Sequence, residues 1–325
     1  MPHRKPITFY SMEIFSKRVK KTFNLNFIKM KKLVLRMVFI LALVSCSHES
    51  FQNSATSEFI FEKSKILLNY KMTDEDIKAL QKLGFSGRSS IVMERTDYVD
   101  NLTYIYYLMD GDIEVRKNSI KSMLKELLDS SIENKSNQFR TSNLVNSPRN
   151  IHIIGMNIYN NTLREGLIRA VENYNDLNIN LSFSLEFRIV KTISQAISAA
   201  NDSDILAKQL GDSPGGSSGF PSGGNPYQSL YVSESTASFG IDVCEHVFTH
   251  EIGHTIGLRH SDYFDRSFSC GIGGNEGDAG VGAIHIPGTP LTTDIDIYSI
   301  MLSCFNSNDN GEFSNFDIIA LESIY

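Results

Sequence analysis

The sequence predicts an α+β fold: a twisted sheet with a long buried helix, then a loop-rich C-terminal subdomain closed by a last helix, all preceded by a small α/β region. Three observations carry that expectation. Residues 181–187, Leu-Ser-Phe-Ser-Leu-Glu-Phe, alternate strictly, as a strand with one buried face does. Val243, Val247, Phe248, Ile252 and Ile256 make the segment around them apolar nearly all round, the pattern of a helix buried on every side. Beyond residue 261 the chain runs through Gly-, Ser- and Asn-rich surroundings. At 325 residues and 41% apolar, it has room for one large domain or two ordinary ones and enough to bury a core.

The net charge of −6 is unevenly spread. Residues 1–45 carry ten Lys/Arg against one acid, Glu13, a net of +9, so residues 46–325 carry −15. That acidity argues against nucleic acid as a partner. Lys31-Lys32, the mainly apolar run 33–44 and the small Ser45 are the parts of a secretory signal peptide, expected over residues 1–45. The run is too short to span a bilayer, and Arg36 interrupts it. Residues 1–29 are long for its charged leading part, so Met30 is the expected true start. Leu43-Val44-Ser45-Cys46 resembles a bacterial lipobox, which implies a lipid on Cys46, a membrane attachment and a place in the cell envelope or at the cell surface. The alternative is an ordinary signal peptide or a free cysteine. Residues 46–58 read as a tether.

The first folded region is expected over residues 59–129. Thr73 and the acids Asp74, Glu75 and Asp76 have helix-start chemistry, and Gly84 ends that helix. Residues 90–94 and 102–109 read as strands, and residues 120–128 as an amphipathic helix. Residues 130–150 read as a linker, with Arg140 and Arg149 as points where activating cleavage would fall.

A second domain is expected over residues 151–325. It opens on a buried strand, 151–154, and a core-facing helix, 163–174; residues 205–206 and 227–233 are strand-like. The Gly/Ser/Pro-rich stretch 211–224 is either the border of a cleft or a surface insertion. Asp242 is expected to cap the central helix, with Glu245 closing a capping box. Asp262 reads as surface turn chemistry, His285 as structural or part of a cleft wall, and the last ten residues as a closing helix. With Cys46 set aside, three thiols allow one bridge; Cys244 reads as a small buried hydrophobe, which makes Cys270 and Cys304 the expected pair.

Residues 250–260 read His-Glu-Ile-Gly-His-Thr-Ile-Gly-Leu-Arg-His. On a helix His250 and His254 share one face, and two imidazoles so placed can hold zinc. Glu251 lies about 100° round the helix, where a general base for water belongs. Gly257 falls where the helix must stop and can take positive φ cheaply. The chain then reverses and brings back His260 as a third ligand, leaving a fourth position for water, the mark of a catalytic rather than a structural site. One Zn2+ is therefore expected.

This eleven-residue pattern is the metzincin signature, and His250-Glu251-Ile252-Gly253-His254 resembles the dual-action HEIGH metallopeptidases of bacteria. Gly257 to Asp262, the loop from Ala283 to Pro290 and the turn from Ser299 to Cys304 are similar to that family as well. The resemblance covers about residues 150–325. It implies a metzincin-like zinc endopeptidase acting on proteins or peptides, with Glu251 as base, Met301 as the methionine beneath the metal, and residues 227–233 as the edge strand beside which substrate lies. Astacins and serralysins carry a zinc-facing tyrosine two residues after this methionine; Ser303 stands here, so that role does not transfer. Asp110-Gly111-Asp112-Ile113 resembles the segment of astacin propeptides whose aspartate blocks the zinc, although Met109 replaces the aromatic there. Asp112 is thus a zinc latch on that resemblance and part of a plain β-turn on local chemistry. The alternative to an enzyme is a surface lipoprotein that uses this scaffold to bind peptides without cutting them; the intact Glu251 speaks against it.

Overall fold

The computed structural model describes residues 65–83, 85, 91–97, 102–129, 138–209, 213–272, 274–276, 283–289 and 295–325, all within one compact unit, Phe59–Tyr325. The expected leader, Cys46, the tether and residues 130–137 of the linker lie outside them.

The N-terminal region is a four-stranded antiparallel meander, β1 (Lys65–Ile66), β2 (Ile91–Thr96), β3 (Thr103–Met109) and β4 (Ile113–Arg116), with helices α1 (Asp74–Lys82) and α2 (Ile120–Asp129). It is therefore α+β in character, not α/β as expected, because all its strand pairs are antiparallel, even β1 and β2, between which α1 lies in the chain. Thr73 caps α1, its hydroxyl accepting from Asp76 N at 3.1 Å. Leu80, Leu83, Val92, Tyr107, Met109, Ile113 and Ile120 form a separate small core.

The second region starts earlier than residue 151. Residues 139–140 form β5 (Phe139–Arg140), the middle strand of a three-stranded sheet between β11 (Leu258–Arg259) and β12 (Ile284–His285). Gln138 is buried and donates to Ser299 and Asp317. The linker reading thus fails from residue 138 onward: Phe139 is wholly buried, and that apolar contact outweighs the polar composition around it. Arg140 sits in β5, and Arg149 opens β6 (Arg149–Met156) and pairs with Asp204, so neither expected cleavage bond lies in an open loop.

The main sheet has the order β7-β6-β8-β10-β9. β6, β7 (Leu181–Arg188), β8 (Ile205–Gln209) and β10 (Ser229–Val232) are parallel, and β9 (Gly216–Ser217) is antiparallel to β10. β10 was expected at the edge; β9, contributed by the Gly/Ser-rich stretch, covers it. Alternate residues of the inner strands bury on opposite faces. Ile151, Ile153, Ile205 and Ala207 pack with α3 (Asn161–Asn175) and the central helix α5 (Ile241–Ile256), whereas Ile154, Met156 and Leu206 pack with α4 (Ile193–Asp202). Helix α4 was not foreseen, although Thr192 and Gln195 form a capping box and Ile193, Ala196, Ile197 and Ala200 recur at helical spacing; Ala196, Ala199 and Ala200 are its buried residues.

Every residue of α5 from Val243 to Ile256 is buried. Its N-cap is Gly240, with no side-chain cap. Asp242 instead pairs with Arg169 at 3.2 Å, and Glu245 accepts from Asn173 at 2.8 Å. Partners on the neighbouring α3 outcompete the expected local capping box. The end of α5 follows the expectation: Gly257 takes φ +115° and its N–H caps the last turn. After β11, the short α6 (Ser267–Cys270) leads to a disulfide between Cys270 and Cys304. The last helix, α7 (Asn315–Ile324), is capped by Ser314 and buries Asp317 against the 299–301 turn.

Candidate metal site

Helix α5 presents His250 and His254 one turn apart, and the reversal at Gly257 returns His260 through β11. The ring centroids of His250 and His254 are 4.5 Å apart, and those of His254 and His260 4.8 Å. Each Nδ1 has an acceptor. His250 donates to the carbonyl of Ile300 at 2.8 Å, His254 to that of Leu258 at 2.8 Å and His260 to the Glu276 carboxylate at 2.7 Å. A carbonyl oxygen can only accept, so the Nδ1 protons of His250 and His254 are fixed and their Nε2 atoms carry lone pairs.

Those lone pairs converge. His254 Nε2 lies 3.2 Å from His260 Nε2, and Asp112 Oδ2 lies 2.9 Å from His260 Nε2 and 3.5 Å from His250 Nε2. The four ligand atoms all fall within 4.8 Å of one another. One proton on His260 Nε2 can serve one neighbour; the other lone pairs, and the buried Asp112 Oδ1, have no donor among the described residues. A donor set short of protons, made of three imidazoles and a carboxylate, fits a divalent cation such as zinc.

The charges respond to this crowding. Burial, followed by its two imidazole neighbours, holds His254 well below its ordinary pKa. His260, against a burial that opposes charge, is raised well above the usual value by Asp112 and Glu276. Asp112, likewise against burial, is drawn well below the carboxylate range by the imidazoles, His260 foremost. Glu251 is pushed well above that range by burial and then by the Asp112 charge. Its Oε2 accepts from Ser218 Oγ at 2.7 Å, so the stretch 211–224 borders the site.

Met301 is wholly buried beneath this cluster. A Cβ on Gly253 would stand 2.7 Å from Met301 Sδ, so the glycine in the middle of the motif makes room for the methionine. The turn is tied in place by Ser261 N donating to Met301 O at 2.8 Å and by Asp317 accepting from Ile300 N at 2.8 Å.

Asp112 reaches His260 because β4 adds to the second region as an extended segment. Glu114 N donates to Ser218 O at 2.6 Å and Ser218 N to Asp112 O at 2.9 Å. Asp110 takes positive φ, 53°, ahead of it. Asp-Gly-Asp is thus a turn and also places a carboxylate against the imidazoles.

Two residues escaped the sequence reading. Glu276 is 1% exposed and orients His260, with Arg259 3.2 Å away. It stands in a loop without periodicity, and nothing local marks it. Ser218, which steers Glu251, is one of several serines in a glycine-rich run. Asp262 was read as surface chemistry but is fully buried. It accepts from Ser303 N, Ser303 Oγ and Ser269 Oγ, because the disulfide folds that loop inward over it. His285, on β12, bonds only Thr289 among the described residues.

No curated protein matches the chain. Among solved structures, one of myroilysin is 12% identical over 57% of this chain and 82% of its own, with a TM-score of 0.34. A second, a crystal structure of myroilysin, is 13% identical over 57% and 86%, at 0.33. A structure of a chaperone–substrate complex is 16% identical over 60% and 42%, at 0.27. The sequence model of the dual-action HEIGH metallo-peptidases matches residues 107–325. That match starts well before residue 150 and takes in Asp112 along with the three histidines and Glu251. With two thirds of its length covered, the chain belongs to the dual-action HEIGH metallo-peptidase family, zinc-dependent hydrolases of peptide bonds.

Proposed function

We propose that this chain is an exported zinc endopeptidase, anchored to the cell envelope by a lipid on Cys46, in which His250, His254 and His260 hold one zinc ion. Glu251 is its general base, and Asp112 keeps it latent. The observation that supports the reading best is the convergence of three imidazole Nε2 atoms beside a buried carboxylate. Zinc held there supplies Lewis acidity, polarising a peptide carbonyl and making water acidic enough to attack it near neutral pH.

The chain's own residues do the rest. Ile300 O, Leu258 O and Glu276 fix the three rings by their Nδ1 protons, so no ring can turn its lone pair away. Met301 packs beneath the rings and keeps the turn that carries Ile300 O in register. Glu251, steered by Ser218, takes a proton from the attacking water and returns it to the amine nitrogen as the C–N bond breaks. While Asp112 sits on His260, water and substrate are kept out, and Glu251 faces a second carboxylate. Withdrawal of the N-terminal region frees both.

The test is a casein or gelatin zymogram with and without chelator, run beside metal analysis. Wild type, once activated, should hold one zinc and cut only without chelator. Glu251→Gln should keep the zinc and lose cleavage by about a thousandfold. Retained proteolysis in Glu251→Gln would refute the base, and a chain without stoichiometric zinc would refute the ligand set. For the anchor, fatty-acid labelling should mark the chain and be lost in Cys46→Ser.

A further inference from the structure

Beside the site, on the side of the first turns of α5 and of the turn after Met301, lies a cavity of about 260 Å³. Val247, Leu302 and Phe305 give it apolar walls; it shares Asp112, His250 and Glu251 with the metal site, and away from them His246, Arg266 and Ser303 are its polar side chains.

His246 stands one turn ahead of His250 on the same face of α5. It is 6% exposed, and its Nε2 is buried with no hydrogen-bond partner among the described residues. Burial, then His250, presses its pKa down to about 3, so the ring is neutral, and Nε2 is the nitrogen left to meet a ligand. A buried polar group left unsatisfied is destabilising, and a leucine would line the same wall without that cost. Arg266 stands at the mouth. Its Nε is 3.3 Å from Glu276 Oε1, and its Nη2 lies over Gly111, 3.2 Å from where a Cβ would be. Glu276 also serves Arg259 and His260, so one carboxylate answers several donors and leaves N–H groups of Arg266 in excess.

We propose that this cavity is a substrate subsite for a residue flanking the scissile bond, taking a side chain that ends in an acceptor oxygen (carboxylate or carboxamide) on the imidazole of His246 and the guanidinium of Arg266. It rests on the peptidase reading above. The apolar walls hold the methylenes of such a side chain and the two donors its head. A bare aliphatic side chain leaves both donors unpaired, and a lysine meets a cation.

The test uses four peptides of one sequence that differ only at the residue flanking the cut: Glu, Gln, Leu or Lys. With activated wild type, kcat/KM should be at least tenfold higher for Glu and Gln than for Leu and Lys at one flanking position. His246→Leu, with zinc content unchanged, should bring Leu up to Gln or above it. Arg266→Gln should lower Glu to the level of Gln, and it decides the matter by itself should His246→Leu misfold or lose metal. A damaged site would lower all four peptides together; only a subsite changes their order. The same peptides titrated calorimetrically into the full-length Asp112→Ala, Glu251→Gln chain should bind in the same order. Binding in that order without cleavage by wild type overturns the peptidase reading alone. Equal treatment of Leu and Gln by wild type, an order unmoved by both variants, or no ordered binding in the calorimeter overturns the subsite.

Discussion

The two folded regions have distinct apolar cores, bridged by Phe220, which packs on the N-terminal core and stacks on Phe85 at 6.4 Å, and they also meet through polar groups at the histidines. The N-terminal core, Leu80 to Ile120, and the larger core around Ile153, Phe248 and Ile252 are distinct clusters. Between them lie Asp112 on His260, Glu114 on Ser217, and a cavity of about 230 Å³ with Phe85 on one side and Phe220 on the other. Even Arg95, 4.0 Å over the ring of Tyr231, is neutralised from its own side by a bidentate pair with Glu114 at 2.7 and 2.8 Å. A closed core resists opening in proportion to the apolar area it hides, whereas hydrogen bonds at a seam are exchanged for bonds to water at small net cost. The function proposed above requires one region to leave without dissolving the other, and the three histidines all lie in the region that would stay.

Four changes would break or sharpen that contrast. The largest is His254→Ala, which should abolish both zinc binding and cleavage while the N-terminal region keeps its hydrogen-exchange protection; melting of both regions together would show one cooperative unit. Glu276→Gln comes next. Loss of a partner that orients a ligand costs about 10–100-fold in metal affinity, measurable by competition with a chelator, and unchanged affinity would reduce Glu276 to a loop anchor. Asp112→Ala should raise the activity of the full-length chain by roughly ten- to a hundredfold, since one charge-assisted contact is worth roughly 1.5–3 kcal/mol; equal activity would argue against the latch. The smallest effect concerns Cys244, whose thiol burial pushes up to about 11. A raised thiol pKa keeps it protonated through pH 8, so mass-resolved alkylation should find Cys244 unreactive in the folded chain and equally so in Asp112→Ala. Labelling that rises with Asp112→Ala would mean that the latch also braces the larger core.

Much of this was legible from local pattern. The strand over 181–187, the fully buried α5, the stop at Gly257 and the pairing of two histidines on one helix face each depend on residues within a few positions of one another. What misled was equally local. Asp242 and Glu245 have the chemistry of a capping box, but Arg169 and Asn173 on α3 claim them. The polar stretch ending at residue 150 looked like a linker, but Phe139 anchors it between β11 and β12. The family resemblance made residues 227–233 an edge strand; β9, which covers them, is only two residues long and glycine-rich and carries no strand signal.

By itself the sequence determined which groups can bind a cation and hold a proton, because helical spacing turns His250, Glu251 and His254 into a fixed arrangement wherever that helix sits. Only the tertiary structure decided which atoms surround them. Asp112 arrives from 148 residues away, Ser218 from 33 before Glu251, and Glu276 from 16 beyond His260. The physical reason is range: backbone periodicity fixes geometry over a turn or two, whereas the partner of a buried polar group is chosen by whichever segment packing brings within 3 Å.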